Sequence, residues 1–254
     1  MDPKGKTAVV TGAGSGLGRA TCDELKTAGA TVFAFERDAG RVESLRAAGI
    51  EALQVDVASE ASVRDAVAHV KSRVGALHVS VNCAGILRAA KTIARGEVFP
   101  LQDWDDTIAV NLTGTFNVVR FAALAMSVNE PDATTGERGV IVNVASGAAT
   151  QGQVGQAAYS ASKAGVMGMT LPIARDLADH AIRVVTIAPG LFDTAMVASM
   201  TDKVRDALID RMVLFPKRRG RPEEFARLVR HVLENEYINA TMLHIDAGVR
   251  TTPR

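Results

Sequence analysis

Residues 7–18 read TAVVTGAGSGLG. Thr7–Thr11 is a short, β-branched run, and Gly12, Gly14, Gly16 and Gly18 follow it into an apolar-periodic helical stretch. Such a run reads as a buried strand, and glycines let the chain turn tightly from strand into helix. Amides at the helix start favour a pyrophosphate, and glycines let it approach the backbone closely. The segment therefore predicts a βα turn, either purely structural or built to hold a dinucleotide.

The alternation continues outward along the chain. Thr31–Phe35, Glu51–Val55, Leu77–Val81, Val140–Val144, Arg183–Ile187 and the shorter Met242–Ile245 read as further strands. Helical stretches near 17–28, 41–48, 60–74, 104–128, 157–179 and 222–234 separate them. Strands alternating with helices predict a parallel sheet covered on both faces. Right-handed crossovers make this a doubly wound, Rossmann-type α/β fold of about seven strands. No repeat, low-complexity tract or linker interrupts residues 1–254, so a single domain is expected. Leu87–Gln102 and Asn129–Gly139 are polar or Gly/Pro-containing and read as loops.

Composition narrows the partners. With 254 residues, 47% hydrophobic and 22% charged, the chain can bury a sizeable core. A net charge of +1 offers no general attraction to nucleic acid. No apolar run approaches the length of about 20 that spans a bilayer, so no membrane partner is expected. Residues 1–6, MDPKGK, lack a signal-like apolar region. Cys22 and Cys83 are the only cysteines, which fits a reducing, cytoplasmic compartment. The five histidines show no metal-ligand spacing, so no metal site is expected.

Three features carry chemistry. Glu36, at the end of the second strand, can accept hydrogen bonds from adenosine ribose hydroxyls and repel a 2′-phosphate, favouring NAD over NADP. Arg37 beside it can instead reach a 2′-phosphate. Asp56, ending the third strand, can meet an adenine edge or serve as an acid at the start of the next helix. Third, residues 159–163 read YSASK, with Ser146 upstream just beyond a strand. A tyrosine phenol has a reference pKa of about 10. On a helix Lys163 shares a face with Tyr159, and its charge favours phenolate. The pair suits proton transfer to or from a substrate oxygen, whose developing charge Ser146 can stabilise.

Taken in order, these residues resemble the short-chain dehydrogenase/reductase family. Its glycine motif is similar to Thr11–Gly18, its Asn-x-Ala-Gly to Asn82, Cys83, Ala84 and Gly85, and its helix asparagine to Asn111. Its serine, tyrosine and lysine correspond to Ser146, Tyr159 and Lys163, and its Pro-Gly turn to Pro189 and Gly190. Residues 152–176, GQVGQAAYSASKAGVMGMTLPIARD, with 186–192, 114–117 and 129–132, more closely resemble the type II 3-hydroxyacyl-CoA dehydrogenase subgroup, also called type 10 17β-hydroxysteroid dehydrogenases. Both irregular loops resemble insertions of that subgroup.

The resemblance implies NAD-dependent oxidation of 3-hydroxyacyl-CoA, with tolerance of branched acyl chains, steroids and simple alcohols. It assigns Asn111, Ser146, Tyr159 and Lys163 to catalysis, Tyr159 taking the hydroxyl proton and Asn111 holding a water in a relay to Lys163. Lys163 would also hold the nicotinamide ribose. Gly12, Ser15, Gly16, Leu17 and Gly18 would hold the pyrophosphate. Glu36, Asp56, Val57, Asn82, Cys83, Ala84 and Gly85 would line the adenosine side, though Cys83 reads equally as a small buried side chain. Pro189, Gly190, Phe192 and Thr194 would meet the nicotinamide carboxamide. Gln156, one turn before Tyr159, can reach the substrate or serve in packing or capping. The family is usually a homotetramer, with the helices near 104–128 and 157–179 at interfaces.

Leu191–Phe215, bearing Met196, Met200, Met212 and Leu214, is expected to form a substrate lid or, failing that, ordinary helix core. Around residues 217–221, KRRGR, the subgroup usually carries one arginine, matching Arg218. Lys217, Arg219 and Arg221 add charge, either as a solvated face or, together with Lys91, to steer an anionic acyl-CoA or acyl carrier. Two other enzyme readings share the frame: a 3-oxoacyl-carrier-protein reductase and a hydroxysteroid or secondary-alcohol dehydrogenase. A non-catalytic NAD-binding subunit is a reading from another class.

Overall fold

Thr7–Thr11 forms β1, buried along its whole length at the middle of the sheet. The computed structural model describes residues 1–194 and 209–251. After β1 come α1 (Gly16–Thr27), β2 (Thr31–Glu36), α2 (Ala39–Ala47), β3 (Glu51–Gln54), α3 (Glu60–Val74) and β4 (Val79–Asn82). A small hairpin of β5 (Ile93–Ala94) and β6 (Glu97–Val98) precedes α4 (Leu101–Ile108), a π-helical turn (Ala109–Gly114) and α5 (Thr115–Met126). The second half holds β7 (Gly139–Val144), α6 (Ala148–Gln151), α7 (Ala157–Asp176), β8 (Ile182–Pro189), α8 (Pro222–Glu234) and β9 (Met242–Ile245).

Seven strands pair in the order β3-β2-β1-β4-β7-β8-β9, every pairing parallel. The chain winds outward from β1 through β2 and β3, then returns to add β4 on the other side. That reversal opens a crevice beyond the ends of β1 and β4, where Thr11 pairs with Asn82.

Strand period two feeds both layers. Ala8 and Val10 pack with Cys22 and Leu25 of α1 and Phe225 and Val229 of α8. Val9 faces the other way, against Val63 and Val67 of α3 and Val118 and Ala122 of α5. Two-sided burial is why these strands read as unbroken apolar runs. Each fully buried Val or Leu side chain contributes roughly 1.5–3 kcal/mol. Helix ends are marked locally: Asp38 accepts from Arg41 N at the start of α2, Ser59 caps α3, and Gly75 at φ 80° closes it.

Two segments differ from expectation. The helix near 104–128 starts at Leu101 and is interrupted by the π turn, whose cause is tertiary. Asn111 bonds there to the backbone of Ile86, and Gly114 packs so closely that a Cβ would lie 2.7 Å from Val57 Cγ2. The segment Leu101–Met126 is also long and apolar enough to cross a membrane, which the sequence reading did not anticipate. Half of its apolar window is buried, with Val118, Val119 and Ala122 in the core. Within Leu87–Gln102, Arg95 and Gly96 take positive φ (54° and 83°) and turn the exposed hairpin. Asn129–Gly139 is a loop, as expected. It lies at the end of the sheet opposite the crevice, with Asn129 bonded to Leu77 O and Asp132 to Lys6.

Candidate active site

The crevice is a cleft of about 650 Å³ running from Glu36 to Tyr159. Its floor is the glycine loop interlocked with the turn after β4. Gly12 adopts φ 63°, and a Cβ there would lie 2.9 Å from Ala84 backbone atoms; one on Gly18 would lie 2.3 Å from Gly12 O. Ala84 N donates to Thr11 Oγ1 at 3.0 Å, fixing the two loops together.

Gly12, Ser15, Gly16, Leu17, Gly18, Glu36, Asp56, Val57, Cys83, Ala84, Gly85, Pro189, Gly190, Phe192 and Thr194 all line the cleft. Asn82 does not. Its side chain is buried within the sheet, accepting from Ser80 Oγ and donating to Asn143 Oδ1 at 2.8 Å. Glu36 is also more committed than expected: its carboxylate accepts from Gly14 N (2.9 Å), Arg37 N (2.9 Å) and Asp38 N (3.1 Å). Asp56 accepts from Ala58 N while Ser59 caps α3, so the acid supports the turn and still faces the cleft.

At the other end, Ser146 and Tyr159 line the same cleft, and Ser146 Oγ accepts from Ala148 N. Lys163 Nζ lies 5.9 Å from the Tyr159 ring centroid and donates to Val144 O at 2.8 Å. Helical spacing thus puts lysine and tyrosine together, but the expected lowering of the phenol by Lys163 is not the dominant effect. Burial raises the Tyr159 pKa, opposed by Ser146, and burial lowers Lys163 to about 8. Burial likewise pushes the Cys83 thiol to about 12. It is an unreactive wall. Asn111 Oδ1 accepts from Ile86 N, and Nδ2 donates to Ile86 O and Ser162 Oγ (3.1 Å). The side chain holds the π turn against the loop after β4; a Cβ on Gly85 would meet both Asn111 Oδ1 (3.3 Å) and Lys163 Nζ (3.5 Å).

The cleft is also lined by Met212 of the expected lid and by five residues the sequence did not single out: Arg88, Gln151, Gln153, Val249 and Thr251. Thr251 donates to Gln151 through both N and Oγ1, Arg250 N bonds Met212 O, and Gln153 Nε2 approaches Met212 Sδ at 3.6 Å. These contacts join segments up to 100 residues apart. Gln156 lines the cleft, and its Oε1 accepts from Gln153 N, which gives it a packing role in that loop. Of the lid Leu191–Phe215, Met196 and Met200 lie outside the described residues; Met212 is buried and Leu214 exposed.

The basic run 217–221 is partly neutralised. Arg218 makes a two-bond pair with Glu224, Arg221 also approaches Glu224, Arg219 meets Asp193 at 2.6 Å, and Lys217 donates to Asp210 O. None of these side chains lines the cleft among the described residues. No cluster of three or more His, Cys, Asp or Glu able to hold a metal occurs among the described residues.

The short chain dehydrogenase family model matches residues 6–205. The chain belongs to that family. The short-chain dehydrogenase chain is 48% identical to the 3-hydroxyacyl-CoA dehydrogenase type-2 of Rattus norvegicus, covering 98% of this chain and 97% of the relative. It is 35% identical to a 3-oxoacyl-[acyl-carrier-protein] reductase of Thermotoga maritima, over 98% and 99%. A crystal structure of 3-hydroxyacyl-CoA dehydrogenase type-2 from Mycobacterium avium superposes with a TM-score of 0.92 at 36% identity, over 98% of both chains. As a short-chain dehydrogenase the protein is an oxidoreductase using a nicotinamide dinucleotide, NAD or NADP. Its glycines fit one: side chains at Gly12 or Gly18 would collide with the loop itself, leaving bare backbone along the cleft.

Proposed function

We propose that this chain is an NAD-dependent 3-hydroxyacyl-CoA dehydrogenase, interconverting 3-hydroxyacyl-CoA and 3-oxoacyl-CoA. The observation that carries the reaction type is that Ser146, Tyr159 and Lys163 line one cleft with the glycine loop, Lys163 Nζ lying 5.9 Å from the Tyr159 ring centroid. The substrate class rests on the likeness to type-2 3-hydroxyacyl-CoA dehydrogenases at 48% identity, against 35% for the carrier-protein reductase.

Gly12, Ser15, Gly16, Leu17, Glu36 and Gly190 along the cleft would hold NAD, which would supply the hydride acceptor for the carbinol carbon. Tyr159 takes the hydroxyl proton in oxidation and returns it in reduction, while Ser146 holds the reacting oxygen. Lys163 supplies positive charge that favours phenolate and can hold the nicotinamide ribose. Asn111 keeps the π turn against Ile86 and so fixes the wall on which Lys163 sits. The Glu36 carboxylate at the ribose end supports NAD over NADP through its repulsion of a 2′-phosphate. We read residues 1–254 as one NAD-binding domain with a lid over 191–215.

Exposed Trp104, Phe116, Leu124 and Leu171 on α4, α5 and α7 support a homotetramer. Two free cysteines fit a cytoplasmic setting. The deciding experiment is a steady-state assay pairing acetoacetyl-CoA, a 3-oxoacyl-carrier protein and a steroid ketone with NADH or NADPH. Acetoacetyl-CoA with NADH should give the highest kcat/KM; a preference for carrier protein and NADPH would overturn the reading.

A further inference from the structure

We propose that Arg41 is a phosphate-binding residue of the dinucleotide cleft, contributed by the first turn of α2 rather than by the glycine loop. It lines the cleft, and its stem lies against Gly14 of the loop: a Cβ on Gly14 would be 2.8 Å from both Cβ and Cδ of Arg41. Its Nη1 reaches Ser15 Oγ at 3.5 Å, a long contact that leaves most of the guanidinium's donors unengaged. The backbone is anchored as well, because Arg41 N donates to Asp38 Oδ1 at the start of α2.

An anionic neighbour is close, yet it does not pair. Glu36 bonds the amide of the same Gly14 through Oε2, and its other oxygen takes the amides of Arg37 and Asp38. Arg41 forms no ion pair among the described residues, whereas Arg19, Arg46, Arg183, Arg218, Arg219 and Arg230 each have one. A cation is therefore presented to the cleft with its stem packed on Gly14 and its guanidinium in no ion pair among the described residues. A guanidinium presents a planar fork of donors that matches phosphate oxygens two at a time. Because the stem already rests on Gly14, less rotamer freedom is lost when the head closes on an anion.

Two phosphates of the cofactor class can meet it: the pyrophosphate, through Ser15, or a 2′-phosphate on the adenosine ribose, beside Glu36. The inference rests on a dinucleotide cofactor and not on the acyl-CoA reading, and its test uses no substrate. Dissociation constants for NADH, NADPH and ADP-ribose, with adenosine by competition, are measured on the full chain and on Arg41→Ala and Arg41→Met. The methionine keeps apolar packing on Gly14, so it separates lost charge from lost packing.

Phosphate-bearing ligands should weaken about tenfold in both variants, with adenosine unchanged. A loss shared by NADH, NADPH and ADP-ribose assigns the pyrophosphate; a loss confined to NADPH assigns the 2′-phosphate. Unchanged affinities for all four ligands, or adenosine weakening as much as the others, would overturn the proposal.

Discussion

Burial shifts Tyr159 and Lys163 in opposite directions. Desolvation raises the phenol and lowers the ammonium to about 8, so each is pushed toward its neutral form. Oxidation needs Tyr159 deprotonated, and a raised pKa moves that form to higher pH. The kcat/KM for hydroxyacyl oxidation should therefore rise with pH from 6 to 9, whereas reduction, which needs the phenol, should not. Tyr159→Phe should lower kcat about 10²- to 10⁴-fold while NADH binding, followed by fluorescence titration, stays within about twofold. A variant retaining a tenth of the wild-type turnover would remove Tyr159 from the role. The i, i+4 relation was legible because it is local to one helix. The Lys163–Val144 bond, which holds the ammonium 5.9 Å from the ring centroid, joins helix to sheet and left no mark in the spacing. Asn82 misled for the same reason: its motif position is right, but cross-strand pairing with Asn143 turns its side chain into the sheet.

Among the elements, those buried on both faces were the most readable, since an unbroken apolar run bounded by glycines has few other homes. The π turn at 109–114 was not, because tertiary bonds from Asn111 create it within an otherwise helical pattern. The connection between Gly190 and α8 is another product of distant contacts. Phe192 and Gly220 form a parallel bridge, Asp193 N donates to Gly220 O at 2.9 Å, and Arg219 meets Asp193. Phe192 stacks edge-on against Phe225, and Thr194 comes within about 3 Å of where a Gly16 Cβ would stand. Arg219 thus ties the segment that carries Phe192 and Thr194 to the segment before α8. Asp193→Asn should raise KM for the dinucleotide by about two- to fivefold with kcat little changed, in keeping with a part-exposed pair of modest strength. The exchanged variant, Asp193→Arg with Arg219→Asp, should recover part of that loss. No recovery, or an effect on kcat alone, would refute the tie.

At the scale of the whole molecule, the two ends of the sheet have separate tasks. One end carries the cleft; the other is closed by charge rather than by apolar packing alone. Arg183, at the start of β8, is buried and pairs with Glu137 in the segment entering β7. It also donates to Val232 O (2.8 Å), Leu233 O (3.0 Å) and Ile238 O (2.7 Å) around the end of α8. Glu137's other oxygen meets the Met1 nitrogen at 3.0 Å. One guanidinium therefore fastens β8 to α8 and to the entry of β7. Nothing in a lone arginine at a strand start announces this, because its acceptors are mostly backbone carbonyls some 50 residues away.

Removing one partner of a buried pair leaves the other charged and poorly solvated, a loss of about 3–5 kcal/mol. For a chain of this size each kcal/mol shifts Tm by roughly 2–4 °C. Arg183→Met should then lower Tm by about 10 °C in a thermal melt. NADH affinity of the folded fraction at 25 °C should be unchanged, because the network lies at the end of the sheet away from the cleft. Adding Glu137→Gln to Arg183→Met should restore little, because Glu137 also pairs with the buried Met1 nitrogen, which the second change leaves without its carboxylate. A single variant melting within about 2 °C of wild type would mean that the carbonyls, Glu137 and the Met1 nitrogen close that end without Arg183.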